Sequence, residues 1–341
     1  MTHPAPPRLI SLLAASLLAM LALPSCVAAE AASPGPAAKV TRTDDRVRVE
    51  LGGQLFTEYI FKGGPRPYFY PVIAADGTQL NRDFPMKKDT AGEELDHPHH
   101  RSLWFTHGDV NGLDFWAETN GPKQGKIIND SVTATAKGAT ATLVSVNRWL
   151  GPDGTVQCTD ETTVRLGAVA DGRQLDYEVT IKAPAGKPVV FGDTKEGSMA
   201  MRLAQWMTIA HKYQKKDSGT SGHIVNDSGV RDGATWGKRS AWVDYFSEHN
   251  GKTYGVAMFD HPKNPQHPTW WHVRDYGLFA ANPFGRHDFE GTKEKPLPAT
   301  AGNLTIPAGG SVTLRYRFFF HYGDEKTGKV AEHFAAYAAG K

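Results

Sequence analysis

The sequence predicts an all-β protein, an antiparallel β-sandwich with a single helix at its C-terminal end. Three observations carry that prediction. Several segments alternate apolar and polar residues with a period of two. Turn-forming pairs break the chain at short intervals. A helical period is convincing only once, near the end.

In chain order, the first feature is an apolar run from Leu9 to Leu23, with Arg8 before it and small residues after it. About 15 apolar residues are few for a bilayer span but suit the core of a secretory signal. Residues 1–29 are therefore expected to be a signal peptide, with Val27-Ala28-Ala29 as a small-residue cleavage site. Leu23-Pro24-Ser25-Cys26 also matches a lipobox, which would leave Cys26 lipidated, and both readings stand. Either way the chain is expected to be exported: periplasmic, an outer-membrane lipoprotein, or secreted. The Ala-, Pro- and Ser-rich residues 30–40 are expected to form a flexible tether, and 41–341 one β-sandwich domain. No later stretch is apolar enough to span a membrane.

Within that body the alternation is clear at Val47, Val49 and Leu51, at Leu175, Tyr177, Val179 and Ile181, and at Val312, Leu314, Tyr316, Phe318 and Phe320. Weaker strand signals lie at 54–61, 126–134, 139–147, 161–166, 241–246, 253–259 and 277–281. Gly52-Gly53, Gly63-Gly64-Pro65, Asp76-Gly77, Pro152-Asp153-Gly154, Asp171-Gly172 and Asn250-Gly251 mark turns between them. Val330, Phe334 and Tyr337 fall at i, i+4 and i+7 and predict the helix.

Composition narrows the function. The chain has 38 basic and 36 acidic residues, a net charge of +2, and no basic stripe, which excludes a nucleic-acid partner. Its two cysteines are Cys26 and Cys158; once Cys26 is cleaved or acylated, no intramolecular disulfide remains. Stability then rests on a core, which ~300 residues can supply. No Walker loop, nucleophile elbow, His-Glu-x-x-His helix or paired-cysteine zinc pattern occurs.

Chemistry concentrates between Asp96 and Trp116. Four of the 14 histidines (His97, His99, His100 and His107) lie in this stretch, with Arg101, Asp109, Asn111 and the aromatic Trp104 and Trp116. A solvated loop does not need so many aromatics, and a dry core does not hold so many ionisable groups unpaired. A half-buried pocket wall accommodates both. In a strand, His99 and His100 would point to opposite faces, while His97 and His99 would share one and, with Asp96, His107 or Asp109, offer metal ligands. The bland alternative has these side chains bonding loop backbone and a bound polyol. A second stretch, Asp193-Thr194-Lys195-Glu196-Gly197, offers Glu196 as an acid–base carboxylate. A third, Trp270-Trp271-His272-Val273-Arg274, repeats the aromatic–ionisable mix. One of its tryptophans is expected in the core and the other, with Arg274, on the pocket.

Asp96-His97-Pro98-His99-His100-Arg101-Ser102-Leu103-Trp104, Gly108-Asp109-Val110-Asn111-Gly112 with Asp114-Phe115-Trp116, and Asp193-Thr194-Lys195-Glu196-Gly197 resemble a bacterial domain-of-unknown-function family often labelled "PmoA family", methane-oxygenase-like. Leu304-Thr305-Ile306-Pro307-Ala308-Gly309, running on to His321, resembles it too, so the likeness covers roughly 40–337. An integral membrane oxygenase subunit does not fit a chain without a later span. The resemblance instead implies a supersandwich similar to galactose mutarotases, with a His general acid and a Glu or Asp base across a concave sheet. By role, the acid would be His100 or His272 and the base Glu196.

The leading expectation is an exported carbohydrate-active enzyme. It would act on a mono- or oligosaccharide by acid–base chemistry (hydrolysis, epimerisation or elimination) through His99, His100, His272 and Glu196. His97, Arg101, Trp104, His107, Asp109, Asn111, Trp116, Trp270 and Arg274 would bind the sugar. No cofactor is expected. Two alternatives are carried: a non-catalytic sugar-binding envelope protein, and a metal-dependent oxidase or oxygenase using His97 and His99.

Overall fold

A computed structural model describes residues 1–5, 36–213 and 219–340. The expected signal peptide and Cys26 lie outside the described residues.

Two large antiparallel sheets pack face to face. Among the described residues the first has nine strands, in spatial order Ala38–Arg42, Arg46–Leu51, Gln54–Ile60, Tyr68–Val72, Leu103–His107, Gly197–Arg202, Leu278–Asn282, Thr269–Val273 and Arg239–Ser240. The second has eight: His223–Asn226, Trp242–His249, Lys252–Asp260, Ser311–Tyr322, Gly172–Lys182, Val156–Val169, Thr140–Leu150 and Lys126–Lys137. Val189–Phe191 and Leu304–Ile306 pair in a small sheet of their own. The end of the expected tether is thus ordered, because Ala38–Arg42 pairs with Arg46–Leu51 as an edge strand.

The predicted alternation matches this burial. Val47, Val49, Leu175, Val179, Ile181, Leu314 and Phe318 are all closed to solvent and meet between the sheets. Phe319 breaks the pattern in Ser311–Tyr322, being buried on the other face. There the helix Val330–Ala338 covers the second sheet, and Val330 and Tyr337 join Phe319, Phe259, Trp242 and Val225 in a separate cluster.

The strands that carry the site are the middle ones of the first sheet. Leu103–His107 and Gly197–Arg202 are buried on both faces, so they show no period-two signal. With Leu278–Asn282 and Thr269–Val273 beside them, their inward residues Phe105, Met199, Ala281 and Trp271 sit in one hydrogen-bonded row and belong to the inter-sheet core. The next row outward is Trp104, Ala200, Ala280 and His272. That row faces away from the second sheet, and Trp104, Ala200 and Ala280 cluster there with Trp116 and Tyr276.

Candidate functional site

The histidine run is a turn, so the opposite facing that His99 and His100 would have in a strand does not apply. The His100 amide donates to the His97 carbonyl at 3.0 Å, and His97 takes a left-handed φ of 44°. In a turn the three rings need not alternate, and they converge. Tyr276, His97, His100 and Trp104 form a column of near-parallel rings, with centroids 5.4, 4.6 and 5.5 Å apart. His99 stands edge-on to His100 at 4.5 Å.

Three buried arginines fix that turn. Arg82 donates to the His97 carbonyl at 3.0 Å, and Arg66 to the His99 carbonyl at 2.5 Å. Arg202 donates to Nδ1 of His100 at 3.1 Å. Asp96 accepts from both Arg82 (2.5 Å) and Arg202 (2.8 Å), and it also holds Nδ1 of His97. Burial and the guanidiniums together depress His99 and His100. His99 falls to about 3, chiefly through burial and then Arg66, and fully buried His100 lies well below its ordinary value.

The opposite wall comes from Thr194, Lys195 and Glu196. This segment is strapped down: Asn282 donates to the Thr194 carbonyl at 2.7 Å, and Nδ1 of His272 bonds the Lys195 carbonyl at 2.8 Å. That bond places the His272 proton on Nδ1 and leaves Nε2 an acceptor. Burial, then Arg274, pushes His272 down to about 3. The Glu196 carboxylate is a third open to solvent and pairs with Lys195 at 3.3 Å. Gly108 lets this segment approach, since a Cβ there would meet the Glu196 Cβ at 2.9 Å.

These walls enclose a cavity of about 450 Å³ that His97, His99, His100, Trp116, Glu196, His272 and Arg274 all line. The fold therefore brings together in one hollow the three sequence stretches singled out for chemistry.

Six expected site residues lie outside that lining, each for a clear reason. Trp104 is the buried foot of the ring column. His107 has the parity of Leu103 and Phe105, so it faces the core, where Nε2 bonds the Gly192 carbonyl at 2.7 Å. Asp109 accepts from the Gly112 amide at 2.8 Å and Asn111 from the Val190 amide at 2.9 Å, so both serve turn backbone. Arg101 is held by both oxygens of Glu118, at 2.8 and 2.7 Å. Trp270 shares the parity of His272 but lies against the edge strand, where its indole donates to Glu290 and Arg239 covers its ring at 4.5 Å. Trp271 is in the core, so neither tryptophan lines the cavity.

The sequence reading missed Thr194, Lys195, Lys212, Asp114 and Tyr276 on the lining. It also missed the foundation of Asp96 with Arg82 and Arg202. Arg202 carried a usable signal, since an arginine ending the apolar run Gly197–Met201 demands a buried partner. Lys212 carried none.

Among the described residues no three His, Cys, Asp or Glu side chains are grouped to hold a metal. Nδ1 of His97 is spent on Asp96, Nδ1 of His100 on Arg202 and Nδ1 of His272 on a carbonyl, and these bonds hold each ring in place.

Residues 46–335 match the model of a family of unknown function, DUF6807. The chain belongs to this family. The family's description names no activity and does not carry the methane-oxygenase label. No curated protein matches the DUF6807 chain. Among solved structures it is similar to a galactose mutarotase-like protein from Clostridium acetobutylicum, 11% identical over 85% of this chain and 99% of that one, TM-score 0.41. A galactose mutarotase-like protein from Lactobacillus casei is 10% identical over 83% and 100%, TM-score 0.37. An α-galactosidase from Lactobacillus brevis is 10% identical over 85% of this chain, which spans 40% of its length, TM-score 0.37. Overlaps of this size decide no chemistry. No helix among the described residues is long and apolar enough to cross a membrane.

Proposed function

We propose that this DUF6807 protein is an exported carbohydrate-active enzyme that moves a proton on a saccharide held in the cavity. One observation carries the reading: a neutral imidazole, His272, with an acceptor Nε2, shares a cavity with the carboxylate Glu196. His100 complements it. With Nδ1 accepting from Arg202, its Nε2 keeps the proton and donates. Neutral donors and acceptors alternating over an aromatic floor suit a ring bearing hydroxyls.

The roles run opposite to those implied by the family resemblance. Held down to about 3, His272 is neutral at neutral pH and presents the Nε2 lone pair to the cavity, not an acidic proton. Glu196, a third exposed, lies across the same cavity. Export rests on the apolar run Leu9–Leu23.

The test is incubation of purified protein with a panel of mono- and disaccharides in deuterated water, followed by proton NMR. Hydrolysis, epimerisation and elimination each give a distinct signal there. His272→Asn and Glu196→Gln should each lower the rate by about 10²–10⁴-fold while the circular dichroism spectrum is kept. Saturable binding without product from the wild type would instead support the non-catalytic reading. Full activity in a folded His272→Asn variant would remove that residue from the chemistry.

A further inference from the structure

The cavity adjoins a second hollow of about 240 Å³, and Lys212, Arg274 and Tyr276 line both. Three cations gather on the Tyr276 ring: Lys212 at 4.6 Å, Arg202 at 4.8 Å and Arg274 at 5.9 Å from its centroid. Arg202 is paired with Asp96 at 2.8 Å, a carboxylate it shares with Arg82. Neither Lys212 Nζ nor the Arg274 guanidinium forms an ion pair among the described residues, and the Glu94 carboxylate beside Lys212 accepts the Lys212 and Tyr213 amides at 2.6 and 2.8 Å. The nearby acids are engaged or displaced. Asp114 accepts from the Trp116 and Ala117 amides at 2.7 and 3.0 Å, and Glu196 pairs with Lys195. Asp275 lines the second hollow and not the first. Like charges held over one ring repel unless an anion lies between them, and a guanidinium beside an ammonium is a strong receptor for an oxyanion. The far hollow adds an aromatic wall in Trp236, over which Arg274 lies at 5.7 Å.

We propose that the two hollows together bind an acidic saccharide of at least two rings. The oxyanion substituent of one ring lies between Arg274 and Lys212 above Tyr276, and the neighbouring ring lies in the second hollow against Trp236. This rests on the carbohydrate reading above and specifies its substrate class. The cavity contributes hydroxyl recognition through neutral imidazoles, and the junction contributes charge recognition.

The experiment is calorimetric titration of the purified protein with uronate disaccharides, with their carboxyl-reduced counterparts, and with a sulfated disaccharide. The acidic member of each pair should bind about 10- to 100-fold more tightly than the reduced one. Arg274→Gln and Lys212→Gln should each erase most of that difference, and Trp236→Ala should weaken the disaccharide more than the single uronate ring. Comparison of the uronate and sulfate arms identifies the oxyanion. Equal binding of acidic and reduced sugars would overturn this inference while leaving the carbohydrate reading in place. Binding of inorganic sulfate at the junction with no saccharide bound at all would overturn both.

Discussion

Asp96 accepts from two arginines in a position fully closed to solvent, and it orients His97 as well. Burial pulls Arg82 down to about 9, which shows how costly its charge is there, while against burial the bond from His97 and then the two arginines hold the Asp96 carboxyl well below the usual range. Removing one partner of such a cluster leaves buried charge uncompensated. Asp96→Ala is therefore expected to cost about 3–5 kcal/mol in urea unfolding, with loss of any saccharide binding. Asp96→Asn keeps the shape and should cost less. At this scale the sequence reading found the imidazoles and the carboxylate of the cavity but not what holds them. A pairing such as Asp96 with Arg202, over a hundred residues apart in the chain, leaves no local pattern.

Strands were clearest where one face is wet, and weak or unmarked where both are dry. Gly172–Lys182 and Ser311–Tyr322 showed their alternation because the outward side chains are polar. Leu103–His107 and Gly197–Arg202 lie mid-sheet under the ring column and show none. Parity also separates what mere proximity merged: His107 and Trp270 look like site residues by type, yet one faces the core and the other an edge strand. The C-terminal helix was legible because its apolar residues keep a helical spacing. It lies on the face of the second sheet turned away from the first, so its removal should leave the cavity standing. Tyr337→Ala, which strips a ring from Phe259 and His261, is expected to cost about 3 kcal/mol in denaturant stability, with saccharide binding retained.

Over the whole molecule, buried groups of opposite sense set the response to pH. His272 and His99 sit near 3 and His107 near 4 in the folded chain, against about 6.5 when unfolded. As pH falls below 6.5 the unfolded chain takes up protons that the folded one refuses, so these groups withdraw stability on acidification. Asp160, raised by burial to about 6, acts in the reverse sense over much of the same range. The single-site difference is the clean measurement. His272→Asn should flatten the stability profile between pH 6 and 4 by one proton, about 1.4 kcal/mol per pH unit, in urea titrations run against the wild type.

The middle strands of the first sheet alternate Phe105, Met199, Ala281 and Trp271 with Trp104, Ala200, Ala280 and His272. Two messages are thus interleaved on alternate letters of the same text, one written toward solidity and one toward chemistry. Substitutions in the second can change what the cavity holds while the first keeps the sheets packed.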